Sequence, residues 1–284
     1  MTPINSRLRF GIMCHGTTFP LWQARCIQTL VADGVEPAVL IIDDRPPLPG
    51  SSVRKKIKTL VTLQADLFSL YNRHVVQRRC RATVPVDLSD SLQHLPRIPC
   101  QVLKKGKFSE YFSPQDLDAI RGYHLDFVLR FAFNIIRGEI LTVPRYGVWS
   151  FHHGDEQKYR GAPPCFWEIY RDEPETGAIL QRLTERLDGG VVLKKGAFAT
   201  VLHSYPQSRD AAHMLGTTWP AEVCRDIRDG QARYLDDPPT RTTAPIYLQP
   251  GNRQMIAFGL KQIGHQVNRP TRWARDGNAG FIRT

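Results

Sequence analysis

Metal-ligand spacing is missing from this chain. Its six cysteines, Cys14, Cys26, Cys80, Cys100, Cys165 and Cys224, contain no CxxC pair, which excludes a cysteine-built zinc site or a dithiol redox centre and leaves reduced, mostly buried thiols. No apolar run approaches the roughly 18 residues of a membrane-spanning helix, and the opening Met1-Thr2-Pro3-Ile4-Asn5-Ser6-Arg7 lacks the apolar stretch of a secretory signal. These absences predict a soluble, cytoplasmic protein. Internal repeats are also lacking. The first apolar run ends in Cys14-His15-Gly16-Thr17-Thr18, with a single glycine. A GxGxxG fingerprint is therefore missing, and nothing indicates a nicotinamide or flavin cofactor.

The chain has 284 residues, 42% of them hydrophobic, enough for a main domain of about 200 residues with an appendage. The expected division is 1–203 and 204–284. Leu8 to Met13 is an apolar run, Phe19, Trp22, Cys26, Ile27 and Leu30 recur at helical spacing up to Asp33-Gly34, and Ala38 to Ile42 is a continuous apolar strand. Such a βαβ opening predicts an α/β fold with a mostly parallel sheet. Asp43 to Gly50 breaks the chain and Val53 to Tyr71 reads as a basic helix, whereas 74–107 gives no order. Ser113 followed by Pro114 is a helix start, with an end at Gly122. Strands follow at Asp126 to Arg130, Val148 to Phe151 and Val191 to Leu193. Helical structure is expected from Tyr205 to Asp229, interrupted at Pro220, and around Met255 to Gln262. The net charge of +11 favours an anionic partner without choosing among them.

The chemistry gathers in Gly147-Val148-Trp149-Ser150-Phe151-His152-His153-Gly154-Asp155-Glu156-Gln157-Lys158-Tyr159-Arg160-Gly161, with Leu187-Asp188-Gly189-Gly190 downstream. In a strand Ser150 and His152 share a face and converge on one point. Their neighbour His153 faces the other way. His153, Asp155 and Glu156 have no third nitrogen or sulfur ligand at suitable spacing, so no metal site is predicted. Taken alone, Asp188 before two glycines is an ordinary turn, and a histidine at a strand end is ordinarily a structural hydrogen-bonder.

The run resembles, without insertion, the active-site signature of the folate-dependent formyltransferases, in which Asn-x-His closes a strand, Tyr-Arg-Gly closes the loop and Asp-x-Gly lies downstream. His152 falls on the catalytic histidine, Asp188 on the catalytic aspartate, and Ser150 on the family asparagine. The resemblance implies a Rossmann-like formyltransferase domain, with a short C-terminal extension, that uses 10-formyltetrahydrofolate as formyl donor. It implies folate contacts from Phe133, Asn134 and Ile136, which could equally be core, and from Glu185 and Arg186. The polar loop after His152 departs from the family's apolar one and makes His153, Asp155 and Arg160 candidates for reading the acceptor. Serine keeps a donor on a shorter side chain, and Asn134 and His153 are candidates to compensate. The implied activity is formyl transfer to a primary amine of a small molecule. An amino-sugar nucleotide is preferred and an amino-acid or peptide-like amine comes next. The alternatives are a formyltetrahydrofolate hydrolase, a methionyl-tRNA formyltransferase, or a folate- or tRNA-binding protein without turnover. A nucleic-acid partner is disfavoured because the tail after Asp229 is too short for the C-terminal barrel of the tRNA-directed members.

Overall fold

The computed structural model describes residues 7–45, 66–106, 108–186 and 189–267. Its centre is a seven-stranded sheet built from Arg9–Cys14 (β1), Glu36–Asp43 (β2), Arg97–Cys100 (β3), Phe127–Arg130 (β4), Val148–His152 (β5), Glu175–Arg182 (β6) and Val191–Ala199 (β7). The spatial order is β7-β6-β5-β4-β1-β2-β3. Strands β3, β2, β1, β4 and β5 run parallel, while β6 is antiparallel to both neighbours. Chain order reverses between β1 and β4, and the crevice beyond the carboxyl ends of such strands is where open α/β sheets bind ligands. Cys14, Arg130 and His152 end the strands on that edge.

The central strands are apolar because both faces are covered. One face packs Phe10, Phe127 and Trp149, with Phe127 and Trp149 stacked at 3.9 Å, against the helix Leu21–Ala32 (α1). The other packs Met13, Val39, Ile41, Val128 and Val148 against the helix Pro114–Arg121 (α2). Helix α2 starts as expected. Ser113 Oγ accepts from Asp116 N at 3.1 Å, and the Asp116 carboxylate accepts from Ser113 N at 3.4 Å, so two otherwise orphaned N–H groups are satisfied. The six thiols are free and buried.

Several elements differ from the sequence reading. Strand β7 extends to Ala199 because its two lysines, which look like solvated loop, find carboxylates: Lys194 pairs with Asp226 at 2.8 Å and Lys195 with Asp155 at 3.0 Å. The helical stretch after Tyr205 divides into Tyr205–Leu215 (α4) and Trp219–Arg228 (α5), the label α3 belonging to Phe166–Tyr170. Its break is at Gly216 rather than Pro220. A Cβ at Gly216 would lie 2.6 Å from the Trp219 ring and 2.9 Å from Phe151, whereas Pro220 sits in the first turn of α5, where a missing N–H is harmless. The last helix is longer than expected, Asn252–Val267 (α6). Of the basic helix expected from Val53 to Tyr71, Leu67–Tyr71 is helical and 53–65 lies outside the described residues. Tyr205, Trp219 and Phe258, from the predicted extension, are buried in the same cluster as β1 and β5.

Candidate active site

Beyond the carboxyl ends of β4 and β5 lies a cavity of about 360 Å³, and Ser150 and His152 both line it. The volume is in the range of small-molecule sites. Its other walls come from Phe108, Phe133 to Ile136, and the segment from Gln181 through Leu183 and Thr184 to Arg186. Two arginines, Arg130 and Arg186, face it, and among the described residues no carboxylate contributes to its lining.

The register of β4 on β5, Val148 opposite Val128 and Trp149 opposite Leu129, carries on to set Arg130 beside Ser150. Arg130 Nε and Nη2 donate to Ser150 Oγ at 3.2 and 3.0 Å, and Nη1 donates to the carbonyls of Phe133 and Asn134 at 3.0 and 2.6 Å. Phe133 has φ of +66°, a left-handed conformation costing a non-glycine residue roughly 1 to 3 kcal/mol. Burial pushes the Arg130 pKa down, opposed by the charge of Glu110. Among the described residues the guanidinium has no carboxylate at ion-pair distance, so hydroxyl and carbonyl oxygens satisfy it.

Asn134 is held from the other side. Its backbone N–H and its side-chain Nδ2 donate to the buried Glu110 carboxylate at 2.7 and 2.6 Å, and Arg45 pairs with the same carboxylate and with Asp43. Burial alone would raise Glu110, but the Asn134 donors and Arg45 outweigh it and hold the carboxyl below its usual range. The Asn134 amide is therefore committed to Glu110 and does not compensate for the short serine. Nor does His153. It turns to the opposite face, stacks on His213 at 4.2 Å and meets the Trp22 ring edge-on at 5.1 Å.

His152 shares a hydrogen bond with the Tyr159 carbonyl at 2.9 Å through Nε2; a carbonyl only accepts, so Nε2 carries a proton, and among the described residues Nδ1 has no hydrogen-bond partner. The turn that supplies this carbonyl is fixed by Gly161, which at φ +90° pairs with the short strand Ile246–Tyr247 and whose Cβ, if present, would lie 2.2 Å from the Tyr247 oxygen. Arg160 belongs to this turn and donates to the Ala244 carbonyl at 3.2 Å. Asp155 is tied to Lys195, which also bridges to Glu156 at 3.2 Å. His153, Asp155 and Arg160 thus stand outside the lining of the cavity. Glu185 is likewise outside the lining, accepting from Gly138 N at 2.7 Å and pairing with Arg137 at 3.7 Å. Asp188 lies outside the described residues. Gly190, two positions on, packs so tightly that an added Cβ would lie 2.5 Å from Gln181 Oε1.

Sequence reasoning overlooked Arg130 and Gln181. Arg130 had one signal, a charge closing the apolar strand Phe127-Val128-Leu129. Gln181 pairs directly with Ser150 across β5 and β6, a neighbour that only the sheet order reveals.

No family model matches the chain. A methionyl-tRNA formyltransferase of Xylella fastidiosa is 31% identical to it over 137 residues, 47% of this chain and 42% of that protein. One from Prochlorococcus marinus is 37% identical over 81 residues, 28% and 24% of the two chains. The matched stretches span less than half of these relatives. Among solved structures, glycinamide ribonucleotide transformylase 1 from Symbiobacterium toebii superposes with a TM-score of 0.50 at 13% identity, covering 81% of this chain and 94% of its own. The N-formyltransferase from Helicobacter canadensis, solved with folinic acid and dTDP-3-aminofucose, gives 0.50 at 10% identity, covering 84% and 70%. At such identities the structural likeness is one of fold. Over the matched stretches the chain is similar in sequence to methionyl-tRNA formyltransferases, and its architecture is the Rossmann-like fold of the solved formyltransferases.

Proposed function

We propose that the protein transfers a formyl group from 10-formyltetrahydrofolate to the primary amine of a small molecule. The observation that carries this reading is convergence. Phe133 to Ile136, Ser150 with His152, and Arg186 come from separate segments, and all line one cavity at the sheet's carboxyl edge. Phe133, Ile136 and Leu183 offer apolar walls for a flat ring system, and Arg186 offers a cation for an anionic tail. The donor supplies a formyl carbon already bound to nitrogen. In the transfer the amine nitrogen bonds to that carbon, the carbon's bond to the folate nitrogen breaks, and a proton passes from the amine to the departing nitrogen.

Ser150 and His152 serve the formyl oxygen, on which negative charge develops. By the sequence match, Asp188 takes the proton from the amine and returns it to the leaving nitrogen. With Nε2–H held by the Tyr159 carbonyl, His152 reaches the formyl oxygen through Nδ1, which donates there as the N–H of the imidazolium form. An amino-sugar nucleotide remains the preferred acceptor, because the +11 charge suits a diphosphate.

The test is calorimetric titration with a non-reactive N10-formyl folate analogue, followed by amine-dependent release of tetrahydrofolate. Saturable micromolar binding is expected in the wild type and in Asp188→Asn, with turnover lost in the latter. No binding at millimolar ligand would sink the proposal. Formate produced without added amine would redirect it to hydrolysis.

A further inference from the structure

The family asparagine is absent, and neither residue expected to replace its amide is available. The space beside Ser150 is instead filled by Arg130, which directs two N–H groups at the same oxygen, 3.2 and 3.0 Å away. A hydroxyl oxygen has two lone pairs and one proton. With both lone pairs facing the guanidinium, the proton turns away from it, into the cavity that Ser150 lines. A cation bonded to the oxygen also polarises the O–H bond and strengthens it as a donor. We infer that Arg130 and Ser150 form one oxygen-binding unit, in which the half-buried guanidinium orients the serine hydroxyl toward the substrate's formyl oxygen and so replaces the missing amide.

Arg130 is in this account a positioning residue and Ser150 the donor that touches substrate. The fork geometry matters, since lysine would bring charge to one point without two parallel donors. The other arm of the guanidinium, on the carbonyls of Phe133 and Asn134, fixes its orientation and ties the unit to the adjacent cavity wall. This inference rests on the formyl-transfer reading and is tested so that the two can fail separately.

The probe is the non-reactive N10-formyl analogue carrying 13C in its formyl group, observed by difference infrared spectroscopy when bound. The carbonyl band should move to lower wavenumber in the wild type and lose most of that shift in both Ser150→Ala and Arg130→Met, with affinity held within a few-fold. Turnover should fall on the order of 10²- to 10³-fold in each, as for loss of an oxyanion donor. The double variant should fall no further, and adding Ser150→Asn to Arg130→Met should restore part of the loss. Should Arg130→Met not fold, Arg130→Lys keeps the charge and is expected to lose most of the band shift. A full shift in folded Arg130→Met or Arg130→Lys, or losses that multiply in the double variant, overturns the inference. Binding with an unshifted band in the wild type overturns it while leaving the functional reading intact. Absence of binding in the wild type removes both.

Discussion

The adjacent histidines His152 and His153, at the end of β5 and just beyond it, have opposite fates, and the difference makes His153 a determinant of acid stability. Its ring is enclosed by Trp22, Phe151 and His213, with Arg209 and His152 nearby as positive or potentially positive groups. Burial first, then the neighbouring His213, pushes its pKa well below the usual value, and burial lowers His213 to about 4. Both imidazoles are neutral in the folded protein, whereas the unfolded chain takes up protons near pH 6.5. Stability is therefore fully present above pH 6.5 and declines as the pH falls toward 4, by about 3 kcal/mol for His213 alone. His213→Phe should flatten this acid limb, which urea unfolding at pH 7, 6 and 5 would measure. An unchanged pH dependence would show that the pair is not neutral. Glu168 acts in the opposite sense. Burial raises it to about 7, so its protonated form suits the fold and stability is lost as the pH rises from the unfolded value through 7. Glu168→Gln should therefore be more stable than wild type at pH 8, with little difference at pH 5.

At the scale of elements, the wall formed by 131–136 depends on what grips it. Glu110, in the short strand Ser109–Tyr111, holds both Asn134 donors, and Arg130 holds the two carbonyls. Glu110→Ala would remove the two part-buried hydrogen bonds of Asn134, at about 0.5 to 1.5 kcal/mol each. It should lower the urea midpoint and weaken binding of the folate analogue, although Glu110 is not among the lining residues. Preserved affinity would show the wall to be self-supporting. Gly216→Ala is predicted to destabilise by roughly 1 to 3 kcal/mol through overpacking against Trp219 and Phe151, and thermal melting would detect it. Much at this scale was legible in the sequence. The βαβ opening, the Ser113 cap and the strand carrying Ser150 and His152 have local signals, namely apolar runs and a capping pair. The continuation of β7 through Lys194 and Lys195 was hidden because their carboxylate partners lie far along the chain. The partnership of Arg130 with Ser150 was hidden for a similar reason: it exists only once β4 and β5 are aligned, and no spacing within either strand encodes it.

Across the whole molecule, excess positive charge meets a cavity whose described charged lining is cationic. Affinity for a polyglutamylated formyl-folate analogue should fall several-fold between 0.05 and 0.5 M salt, about the range over which the Debye length shrinks from roughly 14 to 4 Å. The monoglutamate should respond less, and equal salt dependence would remove charge steering from the account. The core runs without interruption from β1 to α6, where Phe258 stacks on Phe166 at 4.4 Å, so loss of α6 should destabilise the whole unit rather than detach a module. The cavity is more compactly encoded. Every described residue lining it falls between Phe108 and Arg186, while the strands that make the sheet's far half, β1 to β3, precede that stretch. The lining is thus one continuous stretch, framed before and after by the segments that buttress it, so a substitution in β1 to β3 leaves every lining side chain unchanged while Arg45, next to β2, still reaches the wall through Glu110.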